Sequence, residues 1–385
     1  MRILFLTGGF PSKDNPTKSI FNYRAAKSLS KKTDLTVIHL RYWKPGRKIK
    51  TSLIFGEVDV VQLSLPWIPV EHNLLNSLNL QIWKYLCKLL LNKELKNIDI
   101  IHSVGIDGAA LVGSFIKKRD TKHIAQTIGS DLNFHWEKLK KYSINRGWES
   151  NVDIFLCNSK ELERKINLEF LNNKSSTIYR GTDLKKFKPE DKNSDLNKIK
   201  ILYLGGFANR KSTQFGKDLK GGETLKKIWK KIENRFENKD FELILGGPNS
   251  TESELNDWKD SLKYKDNVIC KGIVSLEEIP NLYNEVNIVV IPSRAEGLPN
   301  VAVEALACEK LVIASNVGGI PEVIIDKKTG FLFNIDEEDE FKNILIHSIL
   351  NYKKTKKIRE NARKWVEGNF DNNLYSDKLI DLYSL

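Results

Sequence analysis

Two acids, Glu296 and Glu304, stand where the chain passes from an apolar run through a glycine turn into a helix. Residues 288–291 read as a buried strand, which Pro292 and Ser293 end. Glu296-Gly297-Leu298-Pro299-Asn300 makes the turn, and 301–307 reads as a helix with Glu304 inside it. A second strand, 311–314, runs into another turn, Val317-Gly318-Gly319. Helix N-termini after such turns offer N–H groups and a partial positive charge, a site for phosphate. Glu296, at the mouth of the turn, could then face a sugar, and Glu304 could accept hydrogen bonds from a ribose diol. The plainer alternative is an acid favourable to the helix dipole together with an exposed helical acid.

The elements that must position these groups recur along the chain. Residues 2–6 form a short apolar strand before Gly8-Gly9, and glycines there let a ligand approach the backbone closely. Residues 200–204 run into Gly205-Gly206, 241–245 into Gly246-Gly247-Pro248, and 267–273 end at Gly272-Ile273. Residues 122–127 lead into Ile128-Gly129-Ser130-Asp131. Strands alternating with helical stretches at 19–31, 161–170, 223–232, 341–352 and 357–370 give an α/β chain.

Glu296-x7-Glu304, with Pro292-Ser293 before it and Val317-Gly318-Gly319-Ile320-Pro321-Glu322 after it, resembles the retaining glycosyltransferases of family four. The resemblance implies the GT-B fold, two Rossmann-like doubly wound domains facing a central cleft. It implies that Glu296 contacts the donor sugar and Glu304 the nucleotide ribose. The turn of Gly297, Leu298, Pro299 and Asn300 would hold the diphosphate through its N–H groups. Gly8 and Gly9 would face the phosphates and sugar, and Gly272 and Ile273 would meet the base. The turn at Gly205 usually carries an Arg, whose slot here holds Gly206, and a Lys-Gly pair soon after. Lys220-Gly221 fits that pair, with Lys211 the other candidate, and Arg210 would stand in for the missing Arg. The family's His-Gly-Ser-Asp segment reads Ile128-Gly129-Ser130-Asp131, so its His is absent. Asp131 would position an acceptor hydroxyl, or alternatively cap a helix. His102, His123 and His135 lie outside that slot and are assigned structural roles. The interdomain Pro-Asn-Gly-Val-Asp segment is matched by Arg180-Gly181-Thr182-Asp183.

The implied reaction moves a sugar from a nucleotide-sugar, UDP-linked by resemblance, to an acceptor hydroxyl with the anomeric configuration kept. Lys220 and turn N–H groups would stabilise the leaving diphosphate. No cofactor beyond the nucleotide-sugar co-substrate is expected, and no metal, because no Asp-x-Asp occurs. Cell-envelope polysaccharide, lipid-linked glycan or glycolipid synthesis is the implied destination. A GT-B epimerase or phosphorylase would share the fold. A nucleic-acid binder would use the basic half without needing the paired acids, and no nucleic acid is expected as a partner.

With 385 residues, 41% of them hydrophobic, the chain can bury two cores. Expected boundaries are 1–184 for an N-terminal acceptor-binding domain and 185–370 for a C-terminal nucleotide-sugar domain, with 371–385 returning to the first. Four scattered cysteines without a CxxC pair fit a reducing compartment, and residues 1–8 lack a signal-peptide pattern, so a cytoplasmic location is expected. The net charge of +13 lies wholly in residues 1–185, which hold 30 Lys+Arg against 17 Asp+Glu. That half contains basic residues among aromatics at 41–50 and an amphipathic pattern at 74–95, a surface for an anionic membrane face or a solvated loop and an ordinary helix.

Overall fold

The computed structural model describes residues 1–12, 19–66, 73–190, 198–207, 218–236 and 241–385. The chain divides into two units: residues Met1–Arg180 with Asn372–Leu385, and residues Gly181–Asp371.

The first unit holds an eight-stranded sheet of β1 (Arg2–Thr7), β2 (Asp34–Tyr42), β3 (Lys50–Phe55), β4 (Val58–Leu65), β5 (Ile100–Val104), β6 (Lys122–Thr127), β7 (Ile154–Cys157) and β8 (Lys174–Thr177). Their spatial order is β3-β4-β2-β1-β5-β6-β7-β8. Every pairing is parallel except the β3–β4 hairpin at one edge. The inner strands are apolar on both faces because helices cover both. The edge hairpin is absent from the sequence reading above; its strands mix polar and apolar residues and β3 is half exposed, which weakens the apolar signal. The closing helix Asn372–Ser384 belongs to this unit, where Tyr375, Leu379, Leu382 and Tyr383 join the core around Ile3, Phe5 and Leu29.

The second unit holds a six-stranded, all-parallel sheet of β9 (Ile199–Tyr203), β10 (Phe241–Gly246), β11 (Val268–Gly272), β12 (Ile288–Ile291), β13 (Leu311–Ser315) and β14 (Phe331–Phe333). Their order is β11-β10-β9-β12-β13-β14. Winding reverses between β9 and β12, so a crevice opens beyond the C-terminal ends of those strands, where such sheets bind ligands. In the first unit the corresponding reversal lies between β1 and β5. Both sheets accord with the doubly wound α/β class expected from the sequence.

Candidate active site

The β9–β12 crevice is lined by two loops that glycine draws together. Gly221 sits at φ +75°, and a side chain there would overlap the Pro292 carbonyl oxygen. Tyr203, at the end of β9, donates its hydroxyl to the Gly206 carbonyl at 2.7 Å and the Lys220 carbonyl at 3.3 Å, tying both loops to the sheet. Burial pushes that phenol far above its usual pKa, so it stays a donor.

Across this crevice Lys220 Nζ meets Glu296 Oε1 at 2.7 Å, with the lysine side chain 44% exposed and the glutamate 12%. Ser293 donates its hydroxyl to the same oxygen at 2.8 Å. The Glu296 backbone is fixed too: Gly318, at φ +55°, approaches its carbonyl so closely that no side chain could be accommodated. Gly297 and Leu298 are half-buried, and buried Pro299 leads into the helix Asn300–Ala307. Glu304 on that helix is buried and accepts a hydrogen bond from the Tyr283 hydroxyl at 3.2 Å.

Other donor-side candidates are spread along the same sheet edge. Gly205 and Gly206 follow β9, and the Gly206 N–H donates to Gly246. Gly272 ends β11 at φ +64° and its carbonyl accepts from Gly247, while Ile273 beside it is exposed. Arg210 and the alternative lysine Lys211 lie outside the described residues.

Asp218 and Arg294, which belong to none of the motifs above, also stand at this crevice. Asp218 Oδ1 accepts from the N–H groups of Glu223 (2.8 Å) and Thr224 (3.3 Å) at the start of the helix Gly222–Ile232. Arg294 holds the other oxygen of Asp218 at 3.3 Å and reaches Asp336 at 3.2 Å. An acid just ahead of a helix was the available signal for Asp218. For Arg294, whose partners stand 76 and 42 positions away, there was none.

In the first unit, Gly8 and Gly9 follow β1, and Asn22 fixes their turn by donating to Thr7 Oγ1 (2.9 Å) and the Gly9 carbonyl (2.7 Å). Asp131 opens the helical turn Asp131–Trp136 and is buried. Its Oδ1 accepts from Thr127 Oγ1 and the N–H groups of Ile128 and Gly129, and its Oδ2 from the N–H of Ile106. Four donors occupy the carboxylate, so it fastens the loops after β5 and β6 together. Burial, then the nearby Asp107 charge, push its pKa up against those hydrogen bonds. His102 and His123 are buried and held neutral, with pKa values lowered to about 3 and about 4 chiefly by burial. His135 differs: it is over half exposed and pairs with Asp107 at 2.6 Å, which raises its pKa. Arg180 is fully buried beside Asn22 and Gln126, with its guanidinium over the Phe21 ring and Nε without a partner among the described residues.

Residues 185–365 match the family described as glycosyl transferases group 1. An uncharacterized glycosyltransferase of Methanocaldococcus jannaschii is 27% identical over 275 residues, 71% of this chain and 71% of that protein. The UDP-Gal:alpha-D-GlcNAc-diphosphoundecaprenol alpha-1,3-galactosyltransferase of Escherichia coli is 28% identical over 219 residues, 54% of each chain. The chain thus spans about half the length of the second relative. The crystal structure of Anabaena HepE in complex with UDP-glucose superposes with a TM-score of 0.71 at 19% identity, covering 100% of both chains, a likeness of fold. With that fold and the match across residues 185–365, the second unit is that of the glycosyl transferases group 1 family and the chain has the GT-B fold: it is a glycosyltransferase, similar to a family that draws on nucleotide-sugar donors.

Proposed function

We propose that the enzyme transfers a sugar from a UDP-sugar to a hydroxyl of a cell-envelope glycan or lipid-linked acceptor, with the anomeric configuration kept. The observation that carries this reading is the Lys220–Glu296 pair at the β9–β12 crevice, 2.7 Å apart and partly exposed. A cation and an acid so placed can exchange partners. The donor diphosphate takes the ammonium of Lys220, and Glu296 turns to the sugar hydroxyls. Glu304, on the helix beyond the turn, accepts from the ribose diol, with Tyr283 orienting its carboxylate. N–H groups of the Gly297–Leu298 turn add fixed donors to the diphosphate.

In the transfer itself the bond from the anomeric carbon to the phosphate oxygen breaks, and a bond to the acceptor oxygen forms on the same face. The acceptor proton passes to the departing phosphate oxygen, so no separate base is required and the absence of a His at Ile128 is tolerated. Charge that develops on the diphosphate is met by Lys220, which no longer has Glu296 as its partner. Gly8 and Gly9 serve the donor phosphates and sugar, and the remainder of the first unit the acceptor. UDP is favoured by the HepE complex, and a lipid-linked acceptor by the Escherichia coli relative, whose name specifies a diphosphoundecaprenol substrate.

Thermal unfolding with UDP, GDP and ADP and their glucose conjugates tests the donor. UDP compounds should raise the melting temperature by mass action. A parent protein indifferent to all of them would refute the reading, as would a Glu304→Gln variant stabilised by UDP as strongly as the parent.

A further inference from the structure

The helix Asn73–Leu90 carries two apolar faces. One, with Leu80, Trp83 and Cys87, is buried in the core of the first unit. The other consists of Leu74, Leu78, Ile82, Tyr85 and Leu89, all between 40% and 73% exposed. At about 100° per residue these five fall within one stripe of roughly 80°. A surface helix needs one apolar face for its core. The second face has no such use.

The unpaired charge around the stripe has one sign, Glu94 at its end being taken up by Lys50 at 2.8 Å. The chain has no acid between Glu71 and Glu94, and the stripe is bordered by Lys84 and Lys88, which lie over the Phe115 ring with Tyr85 packed on its edge. The loop after β2 adjoins the other flank: Tyr42 packs on Trp83, and Lys50 donates to the Leu90 carbonyl at 2.7 Å. That loop brings Lys44, Arg47 and Lys48 with exposed Trp43 and Ile49, and no acid occurs between Asp34 and Glu57. Among the described residues no helix is long and apolar enough to cross a membrane.

We propose that this face of the first unit seats on the surface of an anionic lipid bilayer, with the stripe lying in the headgroup–acyl boundary and the lysines and arginines on either flank meeting lipid phosphates. An apolar stripe between cationic borders fits an anionic bilayer, which supplies apolar depth and negative charge together. A second copy of the chain would set like charge against like. The inference stands on the helix and does not depend on the donor chemistry proposed for the second unit.

Co-sedimentation of the full chain with phosphatidylcholine vesicles, with and without about 30% phosphatidylglycerol, tests it. About tenfold more protein should sediment with the anionic vesicles at low salt, and the excess should fade as salt shortens the screening length. Leu78→Gln/Leu89→Gln should lower anionic-vesicle binding by about tenfold, and Lys84→Glu/Lys88→Glu should abolish the preference for anionic lipid. Thermal unfolding of both variants, with the parent's midpoint and cooperativity, would show that they are folded. No sedimentation of the parent with anionic vesicles at low salt would overturn the proposal, as would variants that bind like the parent. A parent dimer that Leu78→Gln/Leu89→Gln converts to monomer would assign the stripe to self-association and overturn it too.

Discussion

At the C-terminal edge of the second sheet, Lys220 and Glu296 meet at a partly exposed crevice where glycines bring the backbone close. At the same edge of the first sheet the polar groups are sunk and satisfied by one another. His102 lies between Tyr383 and Gln126, Gln126 donates to Asn158, and Asp131 has its oxygens filled by backbone and Thr127 donors. A surface ion pair has little net energy to lose and can trade one anion for another. A buried, hydrogen-bonded network cannot trade without leaving further charges or donors orphaned. The same strand–loop–helix plan therefore yields an edge with a partly exposed, exchangeable ion pair in one unit and a fixed frame in the other. In the first unit the half-exposed His135–Asp107 pair is the group set outside that frame.

The contrast can be broken in the second unit first. Gly221→Ala places a methyl against the Pro292 carbonyl in a left-handed backbone, and should cost above about 4 kcal/mol. Calorimetry should show this as early melting of the second unit; an unchanged trace would mean the loops are not held by that approach. Lys220→Ala should leave folding intact and lower sugar-transfer turnover by about 10²- to 10³-fold, as for loss of a preorganised charge partner. Turnover within a few-fold of the parent would remove the lysine from the reaction.

In the first unit the effects should fall on stability. Asp131→Asn should cost about 2 to 3 kcal/mol by orphaning donors on two loops, while UDP affinity stays unchanged. A large loss of transfer at unchanged stability would instead restore the acceptor-positioning role expected from the sequence. Acid should also act on this unit before the other. His102 and His123 have folded pKa values of about 3 and about 4, below the unfolded value, so their contribution is full above about pH 6.5. It falls as pH drops toward those folded values, by about 1.4 kcal/mol per pH unit for each histidine. The second unit has only His347, so unfolding followed between neutral and acid pH should show the first unit loosening first. The smallest effect is Tyr283→Phe, which removes one hydrogen bond to Glu304 and should weaken UDP binding by about 1 kcal/mol in titration calorimetry.

The second unit was the more legible of the two. Its strands are buried on both faces and end in glycine turns, so apolar runs and glycines marked both the sheet and the crevice, while Glu296, Glu304 and Lys220 are singled out by the family resemblance and not by spacing alone. Arg294 and Tyr203 stayed hidden because their partners are distant in sequence or are carbonyls, which no side-chain pattern records. In the first unit the β3–β4 hairpin was lost to its mixed polarity. Asp131 has the residue type of a substrate-facing acid, and its backbone donors, which tie the loops after β5 and β6, are not legible in the sequence. His135 has no motif position to mark it, and its partner Asp107 stands 28 residues away.

Tyr375 and Tyr383, on the helix Asn372–Ser384, supply side chains to the core and polar network of a unit whose other residues end at Arg180. Synthesis runs from the N-terminus, so a nascent chain carries a first unit with an unfinished core past the ribosome while the intervening unit, contiguous in sequence, is free to mature. Chaperones should accordingly engage the early-made segment for longest, and removing the closing helix should release a protein whose later-made unit is folded and whose earlier-made unit is not.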